Sequence, residues 1–108
     1  MFGFSLGPKN ISVEEAYKKL GTEGHVLLDV RTKDEVRAES VPGALNIPLD
    51  SLEARVGELK TYASISVMCR SGGRSAVAAN ILHGLGITNV MNVSGGILAW
   101  EKAGLPIK

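Results

Sequence analysis

The sequence predicts an α/β fold, a mostly parallel sheet with helices on both faces joined by right-handed crossovers. Three observations carry that prediction. Short apolar runs alternate along the chain with helical patterns, and the connections between the runs are too long for hairpins. The run Val26-Leu27-Leu28-Asp29-Val30 also lacks the alternation of a strand with one wet face, which suits a strand covered on both sides. Ligands of such sheets sit at the carboxyl ends of the strands, so chemistry is sought there.

The elements follow in order. Residues 1–8 lack the basic and apolar regions of a signal peptide and read as a loose N-terminal arm. Lys9-Asn10-Ile11 is a short strand. Ser12 and Glu15 then form a capping box for a helix with Val13, Ala16, Tyr17 and Leu20 on one face, stopped by Gly21. After His25 comes the second strand, in which Asp29 is the polar exception. Thr32 and Glu35 repeat the capping signature for a short helix reaching about Ala38, and Val41-Pro42-Gly43 breaks the chain before a third strand, Ala44-Leu45-Asn46-Ile47. Pro48 ends that strand, and Asp50 with Glu53 is expected to cap a helix carrying Leu52, Val56 and Leu59 on one face.

Ile65-Ser66-Val67-Met68 is the fourth strand, followed by a glycine loop and a helical pattern over 76–85. Its expected apolar stripe is Val77, Ala78, Ile81, Leu82 and Leu85, with Asn80 and His83 opposite, which makes His83 a surface residue. Gly84 and Gly86 close the helix, and Asn89-Val90-Met91-Asn92-Val93 is the fifth strand. Ser94-Gly95-Gly96 turns into a last helix with Ile97 and Trp100 on one face, Trp100 being its core anchor, and Leu105-Pro106-Ile107-Lys108 reads as a tail. With no internal repeat, linker or low-complexity tract, residues 1–108 are expected to be one domain.

Composition excludes several classes of function. A chain of 108 residues is long enough to bury roughly two-thirds of the surface its unfolded form exposes. No stretch approaches the ~20 apolar residues of a membrane helix. The formal net charge is +1, from 12 Lys+Arg against 11 Asp+Glu without a long run of one sign, so neither nucleic acid nor an acidic lipid surface is an expected partner. The single cysteine makes no internal disulfide, and a reactive thiol points to a reducing compartment, the cytoplasm.

That cysteine opens the most informative stretch, Cys69-Arg70-Ser71-Gly72-Gly73-Arg74-Ser75, between a strand and a helix. Backbone N–H groups of the loop and of the first helical turn converge there and favour thiolate over thiol. Arg70 and Arg74 add two fixed positive charges that depress the thiol pKa and attract an anionic substrate. Cys69 reads as an activated nucleophile beside an anion pocket. Arg74 is the expected anion contact and Arg70 a second contact or a rim charge. Ser71 and Ser75 either donate to the sulfur or cap the following helix. Asp29 and Arg31, at the end of another strand, are expected to reach the same rim as support.

Four motifs in order resemble a single-domain rhodanese, a sulfurtransferase of the thiosulfate:cyanide type. They are Leu28-Asp29-Val30-Arg31, Pro42-Gly43-Ala44 with Asn46-Ile47-Pro48, the loop from Cys69 to Ser75, and Gly95-Gly96-Ile97-Leu98-Ala99-Trp100 closing with Ala103-Gly104-Leu105-Pro106. The resemblance runs from about Ile11 to Ile107. It implies a five-stranded parallel sheet flanked by helices, with Cys69 as the sulfur carrier and the loop from Arg70 to Arg74 cradling the persulfide and the sulfonate. It also implies thiosulfate or another small anionic sulfur donor, a cyanide or thiol acceptor, no metal and no organic cofactor. One departure stands out. Many relatives carry Gly-His-Ile before Pro-Gly-Ala, where this chain has Glu39-Ser40-Val41, which bears on any substrate contact made there.

The rivals are weighed on residues. Cysteine phosphatases resemble C-x5-R, whereas four residues separate Cys69 from Arg74 and Ser75 stands where the phosphatase arginine would. A cysteine protease needs a histidine base, and His25 and His83 read as ordinary surface or loop residues. One cysteine and two scattered histidines make no zinc set. Two alternatives to thiosulfate turnover remain: a relay passing persulfide sulfur between a donor and an acceptor protein, and a protein-binding module with an idle thiol.

Overall fold

Each apolar run of the sequence forms a strand in the structure, a computed structural model that describes residues 7–108. Of the N-terminal arm only Gly7 and Pro8 lie within the described residues. The strands are β1 (Lys9–Ile11), β2 (His25–Asp29), β3 (Leu45–Asn46), β4 (Ser64–Met68) and β5 (Val90–Val93); the helices are α1 (Val13–Lys19), α2 (Lys33–Ala38), α3 (Gly73–Gly84) and α4 (Gly96–Lys102). All strand pairs are parallel, in the order β1-β5-β4-β2-β3, with Asp29 beside Met68 and Asn10 beside Asn92. The five-stranded α/β architecture is as expected.

Burial on both faces explains the uninterrupted apolar runs. Val26, Leu28, Ile65, Val67 and Val90 face one core with Ala78, Ala79 and Leu82 of α3; Leu27, Met68 and Val93 face a second core with Ala16 of α1 and Ile97 and Trp100 of α4. Both predicted capping boxes form, Ser12 with Glu15 and Thr32 with Glu35. Trp100 is fully buried as expected and meets the edge of the Tyr17 ring at 5.8 Å between centroids.

Four local expectations are corrected. The segment after Pro48 is not one α-helix but two 3₁₀ turns, Leu49–Ser51 and Val56–Leu59. Leu49 N–H is tied to Val30 O at 3.0 Å, which draws Asp50 inside the first turn, and neither turn has a side-chain cap. Leu52 and Leu59 still reach the core, both fully buried.

In α3 the buried face is Ser75, Ala78, Ala79 and Leu82, while Val77 and Leu85 are 52% and 49% exposed. The helix begins at Gly73, and apolarity alone does not rank two alanines above a valine. His25 is no free surface group: it opens β2, half-buried, with Nδ1 2.6 Å from Ser64 Oγ and Nε2 2.9 Å from Ser66 Oγ. Burial and then Lys19 lower its pKa. The tail is held in place, because Trp100 Nε1 donates to Pro106 O at 2.8 Å and Ser40 and Lys108 exchange two backbone hydrogen bonds of 3.0 and 2.9 Å. That exchange passes through the Glu39-Ser40-Val41 departure, whose Ser40 and Val41 are buried.

Candidate active site

Cys69 follows β4, the central strand, at its carboxyl end, and α3 begins four residues later at Gly73. No serine, threonine or aspartate caps α3. Its N-cap is Gly72 at φ 110°, a left-handed conformation that a side chain resists, and no side chain supplies a cap hydrogen bond. The sulfur stands where a capping oxygen would. Gly72 N–H donates to Cys69 Sγ at 3.1 Å, at the end of the helix where N–H groups lack intrahelical partners.

The thiol is 1% exposed. Burial is the largest influence on its acidity and pushes the pKa up, but the Ser75 hydroxyl and amide and the N–H groups of Gly72 and Ser71 outweigh it, so the pKa lies below the ordinary thiol value. The cradle is made of neutral donors more than of arginine charge. It is held from outside by the start of α4: Ile97 N–H donates to Cys69 O at 2.9 Å and Leu98 N–H to Arg70 O at 3.2 Å. A Cβ on Gly96 would overlap the Cys69 carbonyl oxygen and sit 2.5 Å from that of Arg70, so the loop packs directly on glycine backbone.

The charged residues are placed unequally. Arg70 is exposed at the rim. Arg74 is bound to Glu35 of α2 by two hydrogen bonds of 2.7 and 2.8 Å, and those bonds, against a smaller opposing effect of burial, hold the Glu35 carboxyl at about 2. Arg74 thus has a carboxylate partner, and it is Glu35 rather than Asp29. Asp29 and Arg31 close on each other, 1% and 3% exposed. Arg31 Nε and Nη2 bond both Asp29 oxygens at 2.7–3.1 Å, and Nη2 also donates to Glu39 O at 2.9 Å. This pair fastens the end of α2 to β2. Asn46 Nδ2 braces it, donating to Asp29 O at 2.8 Å and Arg31 O at 3.0 Å.

Of the two serines, Ser71 is exposed and Ser75 fully buried, its hydroxyl donating to Asn92 Oδ1 at 2.6 Å. Sequence reasoning did not single out Glu35 or Asn92 for the site. Glu35 was visible only as a capping residue, and it does that work while also binding Arg74. Asn92 left one signal, a polar residue inside the apolar run Val90-Met91-Asn92-Val93.

A thiol held acidic by a ring of backbone donors at the end of the middle strand of a five-stranded parallel sheet matches a known protein family in sequence as well. The family model of the Rhodanese-like domain matches residues 12–103. The chain belongs to that family. This rhodanese-like domain is similar to a sulfurtransferase of Allochromatium vinosum, 38% identical over 86 residues and covering 80% of each chain. It is 37% identical over 113 residues to "Thiosulfate sulfurtransferase 16, chloroplastic" of Arabidopsis thaliana, covering 94% of this chain and 93% of that one. Among solved structures, a rhodanese-related protein from Thermoplasma volcanium superposes with a TM-score of 0.83 at 30% identity, covering 93% of this chain and 97% of that one. Among the described residues, no helix of the domain is long and apolar enough to cross a membrane.

Proposed function

We propose that the chain is a sulfurtransferase that carries sulfane sulfur on Cys69, from thiosulfate or another persulfide donor to cyanide or a thiol acceptor. The observation that carries this reading is the single thiol, lowered in pKa by the donors of Gly72, Ser71 and Ser75, at the carboxyl end of β4. The Cys69 thiolate attacks the outer sulfur of thiosulfate, the S–S bond breaks, and its electron pair leaves with sulfite. Cyanide or a thiolate then attacks the outer sulfur of the persulfide, and the Cys69 thiolate is the leaving group. Charge balances in both steps without metal or redox cofactor. The loop donors face the thiolate, the persulfide anion and the departing sulfite in turn, already oriented.

In this reading Arg74 and Arg70 receive the anionic donor, and the glycines of the loop let its backbone approach the sulfur. Asp29 and Arg31 support the rim through α2, whose Glu35 orients Arg74. The second reading is a relay that takes sulfur from a persulfide on a partner protein. The Arg74–Glu35 pair favours it, because an arginine already bound to a carboxylate offers a dianion less attraction than a free one. A thiol used this way belongs in a reducing compartment, the cytoplasm.

Mass spectrometry tests the reading directly. Incubation of the reduced, folded protein with thiosulfate, followed by desalting, leaves it heavier by one sulfur atom; cyanide removes that mass, and Cys69→Ser never acquires it. Loading by a persulfide donor but not by thiosulfate selects the relay. Loading by neither means the domain is a binding module and refutes the proposal.

A further inference from the structure

The amino end of the central strand pair, opposite Cys69, holds a second polar arrangement. His25 opens β2 and pairs in register with Ser64, the first residue of β4. Its ring meets two serines on the same face of β4, with Nδ1 2.6 Å from Ser64 Oγ and Nε2 2.9 Å from Ser66 Oγ. The two serines differ in what else they reach. Ser64 is half-buried, so solvent is open to it, whereas Ser66 is fully buried and, among the described residues, its hydroxyl bonds nothing but His25.

That difference decides which ring nitrogen holds the proton. A hydroxyl has one proton to give, and a neutral imidazole has one N–H and one bare nitrogen. The Ser66 proton has Nε2 as its acceptor, and leaving it unpaired would cost the full desolvation of a buried donor. Nε2 is therefore the bare nitrogen; Nδ1 carries the proton and donates to Ser64, whose own hydroxyl proton turns to solvent. A second proton, taken from solvent, goes onto Nε2. Ser66 then accepts from the ring, and its own proton is left buried with no acceptor. The neutral ring satisfies every group in the arrangement, and the charged ring strands one.

We propose that His25 and Ser66 form a proton-sensitive clasp between β2 and β4, closed when the ring is neutral with its proton on Nδ1 and released when the ring takes up a second proton. The surroundings act in the same direction. Burial, and after it the charge of Lys19 in the last turn of α1, lower the pKa of the ring from its ordinary 6.5. β4 presents the two serines, β5 sets Met91 beside Ser66, and Glu23 in the preceding turn is exposed. Among the described residues no carboxylate forms an ion pair with His25. β3 pairs only with the far end of β2, so within the sheet this end of β2 rests on β4. A histidine whose folded pKa is lowered stabilises the fold above its ordinary value, and that contribution is lost as pH falls through 6.5 toward the folded value. The clasp concerns the strand that leads to Cys69 and does not depend on the sulfurtransferase reading.

Long-range proton–nitrogen correlation spectra of the nitrogen-15-labelled protein read the tautomer, and a His83→Gln background leaves His25 as the only imidazole of the chain. At neutral to mildly alkaline pH the ring should carry its proton on Nδ1. It should keep it there in Ser64→Ala, because Ser66 sets the tautomer and solvent replaces Ser64 as acceptor. A proton on Nε2 in either protein overturns the proposal, and so does a ring that titrates at or above 6.5. Urea unfolding at a series of pH values from about 7.5 to about 5 then reads the consequence. The midpoint should fall as pH passes down through 6.5, and His25→Gln should lose that fall, since its amide oxygen and nitrogen serve Ser66 and Ser64 without titrating. An equally steep fall in His25→Gln overturns the proposal. If His25→Gln does not fold, the tautomer in Ser64→Ala and the titration of the wild-type ring decide. Failure of thiosulfate to load Cys69 would sink the sulfurtransferase reading and leave this result standing.

Discussion

Removing Arg31 should destabilise this domain rather than disable its chemistry. The side chain is 4% exposed and its partner Asp29 1%, and the guanidinium makes three bonds of 2.7–3.1 Å to the carboxylate and one of 2.9 Å to Glu39 O. Arg31→Ala leaves the Asp29 carboxylate buried with, among the described residues, only the Arg31 backbone N–H as donor, at 3.0 Å, and releases the end of α2. Breaking a buried pair from one side costs about 3–5 kcal/mol. A domain of this size has about 5–15 kcal/mol in total. The loss should lower the urea midpoint by more than about 1 M with the slope unchanged, and Tm by at least about 12 °C. Arg31→Lys should recover only part, because one ammonium cannot bond both carboxylate oxygens and the Glu39 carbonyl in the same geometry. Equilibrium urea unfolding followed by circular dichroism, beside thiosulfate turnover on the same samples, makes the comparison. An Arg31→Ala protein that unfolds near the wild-type midpoint yet has lost turnover would refute the reasoning and place Arg31 against the substrate.

Two further predictions concern the same rim. The Glu35 carboxyl sits at about 2 in the folded protein instead of the ordinary 4.5, so its pairing stabilises fully above the ordinary value and is lost as pH falls from about 4.5 to about 2. Solvent screens this pair, with side chains 37% and 30% exposed, so the gain is smaller than the shift alone implies. Arg74→Met should flatten the acid limb of stability against pH; an unchanged limb would mean that the pair contributes nothing. An aryl phosphate and arsenate should give no Cys69-dependent turnover, since Arg74 follows Cys69 one residue too soon for a C-x5-R loop; turnover lost in Cys69→Ser would overturn the spacing argument.

Much of the fold was legible from local pattern. Apolar runs without alternation mark strands buried on both faces, and S-x-x-E and T-x-x-E mark helix starts, because each depends on neighbours a few residues away. Cys69 was legible for the same reason, since strand, glycine loop and helix are consecutive and their backbone donors converge locally. The segment after Pro48 was misread because a contact from outside it, Leu49 N–H to Val30 O, decides where its first turn begins. The face of α3 was misread because packing on the sheet selects small residues over more apolar ones.

What only the tertiary structure decided are the pairings between elements distant in sequence. Arg74 could have met Asp29 or Glu35, and the chain order does not say which; α2, latched through Arg31 to Asp29, brings Glu35 to it across 39 positions. Asn92 looks like an interruption of a strand until β5 is seen beside β4 and β1, with Ser75 packed above it and Asn10 in register. A sequence states which donors and charges exist, and short-range geometry states where a helix or strand begins. Which buried donor meets which acceptor depends on strand order and helix placement, and those are set by the burial of both sheet faces together.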